Sequence, residues 1–398
     1  MTLHEAVIID AVRTPVGKGK AGGALSGLHA VELLAVTLQA LMSRSDIDPA
    51  LVDDVLVGCV SQVGEQSACP GRVAWLAAGL PESVPATTID RRCGSSQQAV
   101  HFAAQGIMSG AYDIAVVAGI ESMSRVPMGS GRMGQDGHGP SIEARYAPGL
   151  VSQGVAAELV AARWRISRDE LDEYSALSHA RAAAAADSGA FDREIIPVTV
   201  PGVDGTRRVT LDETIRRGTT RETLSGLPTV FRTDAASERF PEIAWSITAG
   251  NSSQLADAAS AMLVMSAEKA AELSLRPRAR FHSFSVVGDD PILMLTGPIS
   301  ASRRALQRGG LSIDDMDVAE INEAFASVPL AWQSEFDYPT ERLNPRGGAI
   351  ALGHPLGASG LRIMTTMLHT LEDTGGRYGL QSMCEGGGMA NATIIERL

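Results

Sequence analysis

The sequence predicts an α/β fold of two similar βαβαβ units, one at each end of the chain, with a loop-rich segment inserted between them. Three observations carry this. Short apolar, β-branched runs alternate with helical apolar spacing up to Gly119, and again from near Ser246 to the end. The two ends repeat one another: Asp53-Asp54-Val55-Leu56-Val57-Gly58 matches Asp314-Asp315-Met316-Asp317-Val318-Ala319 in kind, and 93 − 54 = 39 while 354 − 315 = 39. Cys93 and His354 thus fall at equivalent points, each before the last long helix of its unit. Between the repeats, Ile120–Trp245 loses the alternation. The division expected is residues 1–120, 121–245 and 246–398.

Ala6–Ile9 reads as a strand, Asp10–Gly27 as a Gly-rich loop and His29–Met42 as a helix with apolar positions at Val31, Leu34, Ala35, Leu38 and Leu41. Val55–Val60 is β-branched and strand-like, Gly64–Ser67 a turn, and Gly71–Ala78 a helix. Ala86–Ile89 is a short buried strand, followed by a turn at Asp90–Gly94 and a helix to about Ser109; Asp113–Gly119 is another buried strand. Strand and helix in alternation predict a mostly parallel, helix-covered sheet. Arg125–Gly149 reads as a long loop, Val155–Trp164 and Arg168–Asp187 as helices, and Arg207–Arg232 as charged and broken by Gly and Pro. Strands are then expected at Ala261–Met265, Arg280–Val287, Asp315–Ile321, Tyr378–Met383 and Ala390–Glu396, and helices at Ile299–Gly309, Ala324–Phe336 and Leu361–Leu371.

A chain of 398 residues with 44% hydrophobic content has material for two or three cores. Its net charge of −12 argues against a nucleic-acid scaffold. Lys18, Lys20 and Lys269 are its only lysines. The four cysteines (Cys59, Cys69, Cys93, Cys384) show neither a CxxC pair nor zinc-site spacing, so no metal is expected. The N-terminus enters a strand with no basic n-region, and no stretch has the length of a membrane span, so a cytoplasmic setting is the expectation.

Chemistry concentrates in four stretches. Asp90-Arg91-Arg92-Cys93-Gly94-Ser95-Ser96 places Cys93 at a strand-to-helix turn, where a helix N-terminus favours a thiolate. The bland alternative, a Cys filling space at a strand end, is as common. Gly347–Gly360 frames His354 with glycines and Pro355, as a base for a thiol or a donor to an oxyanion; a lone loop His is more often structural. Ser382-Met383-Cys384-Glu385-Gly386-Gly387-Gly388 leaves a thiol and several N–H groups at a sheet edge, suited to a thioester oxyanion. Asn322 and Glu323 open a helix directly after a strand, where a plain N-cap is the simpler account.

Together and in this order, CGS at 93–95, NEAFA at 322–326, GGAIALGHPLGASG at 347–360 and CEGGG at 384–388 resemble the thiolase family, and Ser246–Ser253 matches the family's loop. The resemblance spans nearly the whole chain. It implies a five-layered α-β-α-β-α core, with the insert serving as the CoA-binding lid. It implies that Cys93 is the nucleophile accepting an acyl group from a thioester, that His354 activates it and forms one oxyanion hole with a water held by Asn322, and that Cys384 is the acid/base. The N–H groups of Cys93 and Gly386 would form the second oxyanion hole. Ser253 and Ala249 would lie against the pantetheine arm of CoA, with Ala324 and Phe325 lining the pocket. CoA enters as substrate, with no permanently bound cofactor; the family forms dimers, usually paired into tetramers. The reaction implied is thiolytic cleavage of 3-oxoacyl-CoA.

Several positions depart from the family pattern. Asp90 stands where many relatives have Asn, Ser96 where many have Gly, and Glu385 where a small or apolar residue is usual; an inward-pointing Glu385 would raise the Cys384 pKa. Ser152-Gln153 replace a His-Met pair of short-chain biosynthetic thiolases, and Pro228 replaces an Arg near the CoA phosphate. Gly64–Ser67 with Arg72–Trp75 looks most like actinobacterial thiolases that degrade bulkier chains, including steroid side chains. Degradation is therefore favoured over acetoacetyl-CoA synthesis. The second Cys argues against a decarboxylating condensing enzyme, and the four intact site residues argue against a non-catalytic acyl-CoA-binding homologue.

Overall fold

The computed structural model describes residues 4–202 and 205–398. The N-terminal half contributes strands β1 (Ala6–Arg13), β2 (Asp54–Gly58), β3 (Ala86–Ile89), β4 (Ile114–Ser122) and β5 (Ala256–Ser266). The C-terminal half contributes β6 (Ala279–Gly288), β7 (Val318–Ile321), β8 (Tyr378–Glu385) and β9 (Met389–Arg397). Their order is β7-β8-β9-β6 followed by β1-β5-β4-β2-β3. Among the described residues the sheets of the two halves join edge to edge over a short stretch, where Val7 and Ile8 of β1 face Arg280 and Ala279 of β6.

The helices that matter are α1 (Ala30–Ser45), α2 (Pro70–Ala77), α3 (Ser95–Met108), α4 (Gln153–Trp164), α5 (Arg168–Asp187), α6 (Gly297–Gly309), α7 (Ser327–Phe336) and α8 (Leu356–Thr374). All residues of β4 are buried, because both faces are covered. Its Ile114, Val116 and Ala118 pack with α1 and α2 in one cluster, while Ala115 and Val117 pack with α3 and α8 in another. That second cluster also takes Val318, Phe281 and Ile395 from the C-terminal sheet, so α3 and α8 form a layer between the two sheets. α6 and α7 cover the outer face of the C-terminal sheet with Ile299, Leu306, Val328 and Trp332. Five layers result, α-β-α-β-α.

Four expectations change. The sheet is mixed: β2 runs parallel to β3 and β4, and β7 to β8, but β5 is antiparallel to both β1 and β4, and β9 to both β8 and β6. Apolar alternation reports burial, and strand direction is set by the connections. Ala256–Ser266, which a boundary at 245/246 assigns to the C-terminal half, pairs inside the N-terminal sheet, so the insert interrupts the first unit. The duplication is real but its anchors shift. Asp53 Oδ2 accepts from the N–H groups of Asp113 and Ile114 at 2.7 and 2.9 Å, and Asp317 Oδ2 accepts from those of Arg377 and Tyr378 at 2.6 and 3.0 Å. Asp53 thus corresponds to Asp317, and the spans to the site residues are 93 − 53 = 40 and 354 − 317 = 37. Finally, α8 begins at Leu356 and the Gly-rich stretch before it holds a short helix, Ala349–Leu352. Cys93 and His354 each precede a central helix by two residues.

Candidate active site

The turn that presents Cys93 is built from its own side chains. Asp90 Oδ1 accepts from Arg92 N–H at 2.7 Å, and Ser95 Oγ accepts from Arg91 N–H at 2.9 Å while donating to Arg92 O at 2.6 Å. Arg92 sits at φ +49°, a left-handed conformation that lets the chain reverse just before the cysteine. An Asn at 90 would make the same turn bond as Asp90. Ser96 faces the other half: its Oγ accepts from Leu361 N–H of α8 at 3.0 Å.

Cys93 is 5% exposed and Cys384 1%. Two N–H groups, that of Cys93 itself and that of Gly386, converge on the Cys93 sulfur. Burial, and then the charge of Glu385, push this thiol up to about 12; the two N–H groups and Arg92 pull the other way. The thiol is therefore held neutral at rest by desolvation, against the pull of the helix N-terminus, which fits the expectation that it needs a base. Cys384 faces Cys93, and burial together with the charges of Cys93 and Glu385 holds its thiol well above the ordinary range.

His354 is buried, and desolvation followed by the Arg362 charge lowers its pKa to about 3, so it is a neutral imidazole. Its tautomer follows from its neighbours. Ser359 Oγ spends its one proton on Pro355 O at 2.8 Å, so the 2.6 Å contact between His354 Nδ1 and Ser359 Oγ requires Nδ1 to donate. Nε2 then carries the lone pair, and it lies 3.4 Å from Asn322 Nδ2. Asn322 Oδ1 is buried without a protein partner, the kind of group an ordered water satisfies. The backbone of Asn322 donates to Ser382 O at 3.0 Å, which fixes it beside the Cys384 strand.

Asn322 and Glu323 do not open a helix; α7 starts at Ser327 and they lie in the extended segment after β7. Glu323 accepts from Tyr174 Oη, Ser178 Oγ, Asn344 Nδ2 and Ile350 N–H, so it braces the His354 loop from beneath. Its local sequence looks like a cap because both jobs need a carboxylate after a strand.

Of the second group of predicted residues, Ala249 and Ser253 line a groove of about 540 Å³ together with Lys18, Lys20, Arg216, Phe231, Ser252, Gln254 and Leu255, while Ala324 and Phe325 are buried behind it. Ser253 N–H donates to Ala324 O at 2.9 Å, and Phe325 meets Phe231 edge-on with ring centroids 5.9 Å apart. Gln254 O accepts from His354 N–H at 2.8 Å, which ties the groove to the imidazole loop. The groove loop is held from the insert: Glu158 accepts from the N–H groups of Ser246 and Ile247, and Asn251 donates to Asp172. Gln254, Ser359, Glu158 and Arg216 escaped sequence reasoning. Only Ser359 carried a signal, five residues after His354 within the same Gly-rich run. Among the described residues there is no group of three or more potential metal ligands, and no helix is long and apolar enough to cross a membrane.

A thiolase N-terminal domain model matches residues 6–268 and a thiolase C-terminal domain model matches residues 275–397. The chain is 49% identical, over its full length and 95% of the relative, to a steroid 3-ketoacyl-CoA thiolase of Mycobacterium tuberculosis. It is 45% identical to a 3-ketoacyl-CoA thiolase of Pseudoalteromonas translucida, with both chains fully covered. The crystal structure of the Bacillus anthracis acetyl-CoA acetyltransferase superposes with a TM-score of 0.89 at 37% identity, again over the whole of both chains. Two family models that meet between β5 and β6, full-length relatives and a duplicated five-layered core agree: the chain belongs to the thiolase family.

Proposed function

We propose that this thiolase degrades 3-oxoacyl-CoA, using CoA to release acetyl-CoA and an acyl-CoA two carbons shorter. The observation that carries the reading is the Cys93 sulfur set under two converging N–H groups, with Cys384 facing it. His354 Nε2 accepts the Cys93 proton, and the thiolate attacks the C3 ketone. The C2–C3 bond breaks, the acyl group stays on Cys93, and the acetyl-CoA enolate takes a proton from Cys384. Cys384 then recovers a proton from the incoming CoA thiol, whose sulfur attacks the acyl-Cys93 thioester and releases acyl-CoA, while the departing Cys93 thiolate takes its proton back from His354. In this reading the N–H groups of Cys93 and Gly386 take the thioester oxyanion, and His354 with an Asn322-held water takes the enolate.

The groove supports CoA as the occupant. The protein is strongly acidic, yet two of its three lysines and Arg216 line this one groove, with an apolar wall of Phe231 and Leu255 for the pantetheine arm. Ser253, Ala249, Ala324 and Phe325 contact that arm in this reading. A bulky acyl chain, as in the relative named for steroids, is the favoured substrate class. Synthesis of acetoacetyl-CoA is the second reading, favoured by the likeness to an acetyl-CoA acetyltransferase. Four free thiols fit a reducing, cytoplasmic setting. The unpaired outer edge of β3 supports at least a dimer, and a monomer by light scattering would overturn that.

Incubation with 3-oxoacyl-CoA thioesters of graded bulk, followed by peptide mass spectrometry, tests the reading. An acyl mass on Cys93 is expected, with the fastest turnover on the longer or bulkier chains. No mass on Cys93 with any thioester would sink the mechanism, and turnover confined to acetoacetyl-CoA would favour the second reading.

A further inference from the structure

The two halves place a glutamate at the same point. Glu121 lies seven residues after Ile114 and Glu385 seven after Tyr378, the two residues whose N–H groups Asp53 and Asp317 accept. Each carboxyl end reaches across the molecule to the other half's central helix. Glu121 has four donors: Val60 N–H, Ser61 N–H, Gln66 Nε2 and Gly357 N–H in the first turn of α8, at 2.8–3.1 Å. Glu385 has none. It is fully buried, both of its carboxyl oxygens lack a partner, and it packs on the Cys93 turn so closely that a methyl group on Gly94 would overlap Oε1.

We propose that Glu385 is a positioning residue for the acyl-accepting thiol, working as a neutral carboxylic acid packed against the Gly94 peptide, and that its ionisation shuts off acylation by setting an anion beside the Cys93 sulfur. The proposal rests on Cys93 being the acyl acceptor. The titratable and charged groups that face Glu385 are Asp90 and Arg91 of the turn, Cys93, and Cys384 on its own strand. Arg91 draws the carboxyl down and Asp90 pushes it up, but burial exceeds both and carries it up to about 8. Arg91 does not capture it: that side chain reaches Met389 Sδ at 3.9 Å, and its Nε is itself unpartnered. The neighbouring strand offers only Asn391, whose Nδ2 is already committed to Gly94 O at 3.1 Å. Glu385 therefore has no donor within hydrogen-bond reach in this arrangement, and the neutral acid costs far less to bury there than the anion. Gly94 is the second half of the device, because any side chain there would evict the carboxyl.

The test compares the wild type with E385Q, which keeps the shape of the neutral acid and cannot ionise. Two rates are followed from pH 6 to 10: iodoacetamide alkylation of Cys93, read by peptide mass spectrometry, and turnover of acetoacetyl-CoA and a longer 3-oxoacyl-CoA. The wild type is expected to lose turnover above about pH 8. E385Q is expected to extend its own plateau by about one pH unit or more and to alkylate Cys93 at correspondingly lower pH. E385M, also unable to ionise, should share the extended limb if E385Q folds poorly. Identical alkaline limbs in the wild type and both variants would overturn the proposal while leaving acyl-Cys93 standing. Absence of any acyl mass on Cys93 in the wild type would instead remove the reading beneath it.

Discussion

Glu121 and Glu385 are the same residue type at the same point of two copies of one unit, and their surroundings treat them in opposite ways. Both are desolvated, and burial raises both carboxyl groups. Around Glu121 three backbone N–H groups and a Gln side chain oppose that rise, and the carboxylate ties the β2–α2 loop to α8, just past His354. Around Glu385 nothing donates. A duplicated scaffold can thus spend one copy on holding the site together and leave the other poised beside the reacting sulfur. The central pair shows the same division: before one inner helix stands a sulfur, before the other an imidazole, and neither is reactive alone because burial holds both in the neutral form.

The harshest way to break this comparison is to remove its two centres. C93S should lower turnover by at least about 10³-fold, and H354A by about 10²–10⁴-fold, both read as kcat on a 3-oxoacyl-CoA. The S359A variant is gentler. It removes the acceptor that holds the His354 proton on Nδ1, so turnover should fall about tenfold while KM for CoA stays put, since Ser359 faces the imidazole and not the groove. An equal loss in H354A and S359A would mean that Ser359 does more than fix the tautomer.

Next in size is the structural carboxylate. E121A strands the buried N–H groups of Ser61 and Gly357 and the half-buried one of Val60, and should cost about 2–4 kcal/mol in thermal or urea unfolding. E385Q should do the reverse, and only at high pH. Folding raises the Glu385 carboxyl from the ordinary 4.5 to about 8, so the native state holds a proton that the unfolded chain has released. The contribution of that bound proton is intact below the unfolded value and is lost as pH climbs towards 8. E385Q and wild type should therefore unfold alike near pH 4, and the variant should be the more stable by about 2–4 kcal/mol at pH 8 and above. A gap that does not grow with pH would mean that Glu385 is ionised throughout.

Much of this was legible in the sequence, and the rest was hidden for physical reasons. Cys93, Asn322, His354 and Cys384 stand in glycine-framed runs whose composition makes little sense for plain packing, and the structure brings their neighbourhoods together. The two-unit core was legible because the same acidic-then-apolar pattern occurs twice. The correspondence was misaligned by the richness of aspartates near residue 315: three of them invite several registers, and only the bonds of Asp317 to Arg377 and Tyr378 choose one. The direction of β5 could not be read, because its apolar run is the same whichever way it lies. Glu158, Asp172 and Gln254 were invisible because the partners that tie them to the site, Ser246, Asn251 and His354, lie 79 to 100 residues away in sequence. Glu385 stands out in the sequence as unusual, but its sense does not, since whether a buried acid is charged depends on donors that only the folded chain can supply or withhold.

The smallest effect expected is also the sharpest probe of how Glu385 feels its neighbours. Asp90 does two things: its Oδ1 holds Arg92 N–H at 2.7 Å and so shapes the Cys93 turn, and its charge pushes the Glu385 carboxyl up. D90N keeps the first, because an amide oxygen accepts the same bond, and deletes the second. Turnover at pH 7 should therefore change by no more than about twofold. The alkaline limit should nonetheless move down by a few tenths of a pH unit, because Glu385 ionises sooner once one facing anion is gone. The shift is small since Asp90 is a third exposed and water screens it, and it runs opposite to that of E385Q. In the double variant D90N/E385Q the downward shift should vanish, since the group that senses Asp90 is no longer there; a shift that persists would place the alkaline limb on Cys93 or Cys384 directly.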